Sequence, residues 1–387
     1  MTTRSPMHQQ IDTLPDLVRA VAQPFDESAR RSFSFEVCTG VKRIYLVGCG
    51  DSYHASYGAE LAFHQLAGIQ AQALSSLSFS RYTVGYLPPT GPLTNLVITV
   101  SVSGVVSRTI EAAALARKAG ATAIALTGTA GSPLAQTAES TFLTTVPPLP
   151  DEMRGMVVPG VRSYLASQVA LYSAAIRIGE VRGHLTTAAA DQLRAELRGL
   201  ADVLAATITA CEPLVKEWAA KWPTATAFDF VAGGPLFGAA MFSAAKLLEA
   251  TGEPSMAQET EEWTHLQYFV SQPTPTILLN AAGFDSDRMA ELARAAQSIS
   301  RPVVAVVPEG EQDISQFVDA VWPIKGKVRE CFLPLVASIP GELLAAERAA
   351  MLGTAYFRNF EGGRTVPWSK EGASRIRDSH MIDEVLR

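Results

Sequence analysis

The chain has little of what marks a membrane, secreted or nucleic-acid-binding protein. No apolar run among its 387 residues is long enough to span a bilayer, and the opening stretch MTTRSPMHQQ has no apolar core of the kind a secretory signal needs. A cytoplasmic location is the expectation that follows. Lysine and arginine form no run and the net charge is -6, so nothing calls for a nucleic-acid partner. There are only 4 cysteines, Cys38, Cys49, Cys211 and Cys331, with no CxxC pair, which points to buried reduced thiols instead of disulfides or a zinc site. The 6 histidines show no HExxH and no ligand spacing, so no metal is expected. The glycines do not complete GxGxxG and no acidic residue stands at the ribose position, which excludes a nicotinamide fingerprint; no cofactor is expected. Charge is scarce as well, at 18% beside a hydrophobic fraction of 48%, and that balance excludes a disordered chain. The length suffices for two domains, each with its own core.

What the chain does have is a segment written twice. VGCGDSYHASYGAELAFHQLAG at 47–68 and VAGGPLFGAAMFSAAKLLEATG at 231–252 each follow a short apolar run, RIYLVG or FDFVAG, turn through glycines and enter an Ala-rich helical stretch. This is the form of a strand, a tight loop and a helix. A glycine turn lets backbone approach a ligand closely, and the helix start behind it offers N–H groups to an anion. The copies differ where chemistry would sit. Ala62 and Gln65 of the first stand where the second has Lys246 and Glu249, so proton transfer is expected near the second copy. Cys49, in the first glycine loop with no basic neighbour in sequence, reads as a packing residue and not as a nucleophile.

Around the copies the pattern alternates. A lead-in helix is expected over 7–25, strands at 43–47, 96–101, 122–127 and 141–146, and helices at 52–66 and 107–119. A Pro-rich stretch at 147–153 ends this first domain, and long helices at 163–178 and 187–221 connect the domains. Strands resume at 228–232, 276–280, 303–307 and 320–323, followed by a helix over 334–352. The boundaries drawn are a lead-in at 1–40, a first domain at 41–185, connecting helices at 186–222, a second domain at 223–352 and a tail at 353–387 that closes over the site. Strand and helix alternation of this kind describes an α/β protein with mostly parallel sheets flanked by helices, Rossmann-like and of flavodoxin type.

At the end of the strand predicted over 96–101 the chain reads SVSGVVSRT. Hydroxyls and a glycine at a strand-to-helix turn offer donors to a phosphoryl group or to sugar oxygens, and Ser52 could converge on the same pocket. The plainer reading is that the serines cap the helix. Taken together, MHQQIDTLPDLV, CGDSY at 49–53, SVSG at 101–104, AAKLLE at 244–249, EEWTH at 261–265 and FRN at 357–359 resemble, in their order, the double sugar isomerase (SIS) domain proteins. That family includes the isomerase half of glucosamine-6-phosphate synthase and related deglycases and amino-sugar-phosphate deaminases. The resemblance implies two SIS domains and places Ser52, Ser101 and Ser103 at the phosphate end of the substrate. Gly50, Asp51, Gly104, Ser107, Arg108, Arg162 and Glu262 are the further substrate-binding candidates. It puts the catalytic glutamate on Glu249, its neighbouring lysine on Lys246, and a ring-opening histidine, supplied by the partner subunit of a homodimer, on His265.

Chemistry read from the residues is compatible with these roles. Aldose–ketose interconversion needs one carboxylate that takes a proton from C1 or C2 of an open-chain sugar and returns it to the other carbon. Lys246 and Glu249 at i and i+3 share a helix face, though an ordinary surface ion pair would look the same. The departures matter too. Val102 and Val106 stand where the synthase has a glutamine and a threonine, Asp51 replaces a hydroxyl residue, and Arg108 replaces an acidic one, which suggests an Asp51–Arg108 pair or an Arg108 turned to the anion. No glutaminase segment precedes the lead-in, so glutamine-dependent synthesis is not expected, and the tail stretch NFEGG has no lysine at the family's Schiff-base position. The expected function is an isomerase, deaminase or deglycase acting on a sugar or amino-sugar phosphate; a non-catalytic sugar-phosphate sensor is the alternative.

Overall fold

The computed structural model describes residues 4–357 apart from 89, 90, 92, 154, 271 and 272. The tail expected to close over the site, from 358 onward, lies outside the described residues. Two compact units are present, one formed by 16–148 with 163–199, the other by the residues up to 15, by 149–162 and by those from 200 on. Neither unit is a continuous stretch, in contrast to the boundaries drawn from sequence. The lead-in is divided between them, and the helix Thr187–Lys221 contributes to both.

The lead-in is three helices, Pro6–Asp12, Leu14–Ser32 and Phe35–Gly40, where one was expected over 7–25. Pro15 explains the first break: without an N–H it cannot continue a helix, but it fits the first turn of the next one. Ser5 caps the first helix by accepting from the His8 N–H, and Ser34 caps the third.

In the first unit five strands, β1 Arg43–Gly48, β2 Ala71–Ser75, β3 Asn95–Val100, β4 Thr122–Thr127 and β5 Ser140–Leu143, form a parallel sheet in the order β2-β1-β3-β4-β5. All six residues of β3 are buried, as a strand covered on both faces must be, and this is why it reads as one apolar run. The second unit repeats the order with β6 Phe228–Ala232, β7 Ser255–Glu259, β8 Thr276–Leu279, β9 Val303–Pro308 and β10 Ala320–Ile324, arranged β10-β9-β8-β6-β7 and all parallel. The fold class inferred from sequence is therefore the observed one. The strands not foreseen, β2 (AQALS) and β7 (SMAQE), are the two edge strands that follow the repeated helices, and their half-exposed faces carry no apolar run. Tyr45, Val47, Val97 and Ala123 pack with Phe79, Ala112 and Ala116 in the first unit. Val231, Leu278, Ala305 and Val307 pack with Trp263, Met289 and Leu292 in the second. Among the described residues no helix is long and apolar enough to cross a membrane.

One close approach fixes the first unit. Gly179, in the helix Arg162–Val181, lies so near the end of the first repeated helix that a Cβ there would sit 1.9 Å from the Leu66 carbonyl oxygen. Backbone cannot yield as a flexible side chain would. Gly179→Ala is expected to cost about 1–3 kcal/mol, read as a lower urea midpoint; an unchanged midpoint would mean that the 63–68 turn relaxes freely.

Candidate active site

Parallel pairing of β1 with β3 brings Gly48 opposite Val100, so the loops that leave these strands emerge side by side at one edge of the sheet. They lie at the point where the strand order reverses direction, the crevice in which open α/β sheets bind ligands. The first loop is shaped by glycine. A Cβ on Gly48 would meet the Ser52 backbone carbon at 2.8 Å, and Gly50 has φ 53° as it opens the helix Asp51–Ala62. Ser52 is half-buried, its carbonyl accepting from Ser56 Oγ at 2.7 Å, and Asp51 Oδ1 lies 3.9 Å from His54 Nδ1.

In the second loop Ser101 is buried and its Oγ accepts from the Gly104 N–H at 3.2 Å, while Ser103 is exposed. Gly104 has φ 67°, and a Cβ there would strike Ser132 Oγ at 2.1 Å. The serines do not cap the following helix, Ser107–Lys118. Val106 occupies the N-cap and makes no side-chain cap bond. Arg108 is turned to Glu111, with Nη1 donating to Oε2 at 2.9 Å. Arg81 donates to the other oxygen of the same fully buried carboxylate. The sequence suggested Asp51 or an anion as the partner of Arg108; the structure supplies Glu111, one turn along its own helix. That i,i+3 spacing was legible in TIEAAALARK, whereas nothing in the sequence pointed to Arg81.

The acid/base candidates belong to the second unit. Lys246, 1% exposed on the helix Leu236–Thr251, donates from Nζ to Glu249 Oε2 at 2.6 Å and lies over the Phe242 ring. Glu249 keeps about a third of its side chain exposed. A surface ion pair has both partners in water; here the ammonium is buried and the carboxylate alone reaches solvent. His265 sits on the short helix Thr260–Leu266, largely exposed, 3.4 Å from Glu261, which is also held by Arg288. Glu262 is exposed beside it, its N–H donating to Glu259. Arg162 is buried, donating to Thr13 Oγ1 at 2.7 Å, and burial pushes its pKa down. It is tied to the lead-in and clusters with the second unit, whereas the serine loops belong to the first.

Comparison with known proteins places this architecture. Residues 39–177 match the SIS domain family. The first sheet lies within that match. It is 26% identical over 348 residues to the isomerizing glutamine–fructose-6-phosphate aminotransferase of Gloeobacter violaceus, a match covering 88% of this chain and 54% of that protein. The chain thus spans about half the length of the curated relatives it matches. Its fold is that of the C-terminal domain of glucosamine-fructose-6-phosphate aminotransferase from Francisella tularensis, with TM-score 0.75, 16% identity, and 92% and 98% of the two chains covered. Glucosamine-6-phosphate deaminase from Thermotoga maritima shares it with TM-score 0.64, 17% identity and 90% and 95% coverage.

The two SIS-type sheets differ in what lines their equivalent crevices. After β8 the loop presents Asn280 and Asp285 where the first sheet has serines; Asn280 Nδ2 donates to Asp285 Oδ1 at 2.9 Å. Burial pushes the pKa of Asp285 up, with Glu259 and Asp287 adding to the rise, and burial then Asp285 push Glu330 up. This crevice does not suit an anion. Each carboxyl binds its proton more tightly folded than unfolded, so its contribution to stability is fully present below the ordinary carboxylate range and is lost as pH rises through the folded value. The urea midpoint should therefore fall as pH rises from the ordinary aspartate value through the raised one, and Asp285→Asn should flatten that fall. An identical pH profile in the variant would remove Asp285 from the account.

Proposed function

We propose that this chain catalyses proton transfer between C1 and C2 of an open-chain sugar or amino sugar that carries a phosphate, as an isomerase or as a deaminase or deglycase that couples the same step to loss of an amine. The observation that carries this reading is the Lys246–Glu249 pair: a buried ammonium 2.6 Å from a carboxylate that reaches solvent. An ammonium at that distance favours the carboxylate form, which is the form a general base needs. Glu249 would take the proton from one carbon and return it to its neighbour, and Lys246 would hold it in place and in charge. The names of the relatives support the substrate class, since an aminotransferase acting on fructose 6-phosphate and a glucosamine-6-phosphate deaminase both handle a phosphorylated hexose.

The serine loops of the first unit are the proposed phosphate seat. Ser52, Ser101, Ser103 and Ser107, with the glycine-opened backbone at Gly50 and Gly104, supply donors. Arg81 and Arg108 both face one carboxylate, Glu111, beside a loop in which Val102 and Val106 contribute no hydroxyl or amide. On the same reading the working unit is a homodimer in which His265 serves the partner's site as ring-opening acid/base, and its exposure on its own chain supports that placement.

The decisive experiment follows deuterium uptake at C2 across a panel of hexose, hexosamine and glycated-amine phosphates and their unphosphorylated forms. Glu249→Gln should bind nearly as wild type and lose at least roughly a hundredfold in turnover. An undiminished rate in folded protein would exclude Glu249, and binding without turnover by the wild type across the whole panel would establish a sensor instead. Arg108→Ala should raise KM for the phosphorylated substrate by roughly tenfold or more through loss of a charge-assisted contact. If phosphorylated and unphosphorylated substrates suffer alike, Arg108 serves Glu111 alone.

A further inference from the structure

Away from the proposed catalytic groups, three helices of the second unit converge on His8. The side chain is 5% exposed, on the helix Pro6–Asp12, and faces Glu347 on the helix Ile339–Leu352 and Glu212 on the helix Thr187–Lys221. One ligating atom from each of His8, Glu212 and Glu347 falls within 4.8 Å of the others. His8 Nδ1 is 2.7 Å from Ser5 Oγ. Nε2, buried, lies 3.0 Å from Glu347 Oε1 but is not in hydrogen-bond geometry with it or with any other group among the described residues. In the tautomer that gives Nδ1–H to Ser5, Nε2 presents a lone pair toward a carboxylate, which is unfavourable unless a cation is shared between them.

The geometry points to a binding site for a divalent transition-metal ion, held by His8 Nε2, Glu347 and Glu212. A tetrahedral zinc ion with ligands at about 2.0–2.1 Å spaces them roughly 3.3 Å apart; His8 Nε2 and Glu347 Oε1 are at 3.0 Å, and all three atoms lie within 4.8 Å of one another. Imidazole among carboxylates favours zinc and its neighbours over magnesium or calcium. The supports usual for such ligands are present as well. Ser5 orients the imidazole through its second nitrogen, and Arg4 fixes Glu212 by donating to both its oxygens, at 2.6 and 2.9 Å, while also holding Asp12. The three ligands are distant in sequence, which is why no spacing announced them. A metal here would clamp the first helix to Ile339–Leu352, the helix that packs against Leu236–Thr251, the carrier of Lys246 and Glu249. The inference does not depend on the proposed reaction.

The test is titration of Zn²⁺ and of Co²⁺ into metal-stripped, untagged full-length protein, followed by calorimetry and visible absorption. One equivalent should bind, with cobalt showing the intense bands of a low-coordinate nitrogen–oxygen site, and zinc should raise the thermal midpoint. Glu347→Gln, which preserves volume, and His8→Ala should each weaken binding at least tenfold. Cys38 and Cys211 are poor competitors, because burial pushes their thiols up to about 11 and about 12. Failure to take up one equivalent, wild-type affinity in the His8→Ala/Glu347→Gln double variant, or a thiolate-to-cobalt band from a site at Cys49 would each overturn the assignment.

Discussion

Everything proposed for the first unit rests on the parallel register of β1 against β3. Parallel strands send their C-terminal ends to the same edge, and with Gly48 opposite Val100 the two following loops have no choice but to be neighbours. The crossovers then decide which strands flank the crevice: β2 is placed on one side of β1 and β3 on the other, which opens the sheet at that edge. Glycine completes the arrangement, because at Gly48 and Gly104 any side chain would collide with backbone or with Ser132. The loops are thus fixed by the sheet, by contacts behind them and by their own bonds, the Ser52 N–H donating to the Cys49 carbonyl and the Gly104 N–H to Ser101.

Two buried arginines of the second unit, Arg301 and Arg348, are each held by a carboxylate and a carbonyl. Arg301 is buried with Asp229 at 3.2 Å and also donates to the Gln267 carbonyl at 2.8 Å; Arg348 is buried with Glu253 and donates to the Trp222 carbonyl at 2.7 Å. Removing one partner of such a pair typically costs about 3–5 kcal/mol, whereas the intact pair adds little net stability. These pairs join backbone segments on both sides and read as structural. Lys246 differs from them in one respect, since its carboxylate partner reaches solvent. A structural pair gains nothing from that exposure, but a proton shuttle requires it.

Much of this was legible in the sequence where hydrophobic pattern and turn chemistry agree. The strand 228–232 and the helix 187–221 have the expected ends, because an apolar run between polar turns and a long helical periodicity each leave a sharp signature. The edge strands β2 and β7 were not legible, since a half-exposed edge needs no apolar run. Nor was the helix Ser286–Ser298 drawn from sequence, although Met289, Leu292, Ala293 and Ala296 line its buried face at helical spacing. At the site, the Lys246–Glu249 contact could be read from its i,i+3 spacing, and so could Arg108–Glu111 once both residues are placed on one helix. Arg81, reaching Glu111 from another element, and the grouping of Arg162 with the lead-in depend on tertiary placement that no local pattern encodes.

The doubled architecture explains why one chain can hold opposite chemistries without conflict. Two sheets with the same strand order present two equivalent crevices, and nothing in the fold obliges them to bind the same ligand. The first has serines, glycines and two arginines sharing Glu111; the second has Asn280, Asp285 and Glu330, two carboxyl groups that offer an anion no positive charge. The helix that follows the glycine turn has diverged in the opposite sense, with Ala62 and Gln65 in the first copy and Lys246 and Glu249 in the second. The two copies therefore differ in what they offer: hydroxyls and glycine turns in the first, an ion-paired carboxylate in the second. A group that must release and recapture a proton is best kept off the element that binds a permanent anion, because a nearby phosphate would oppose ionisation of the carboxylate.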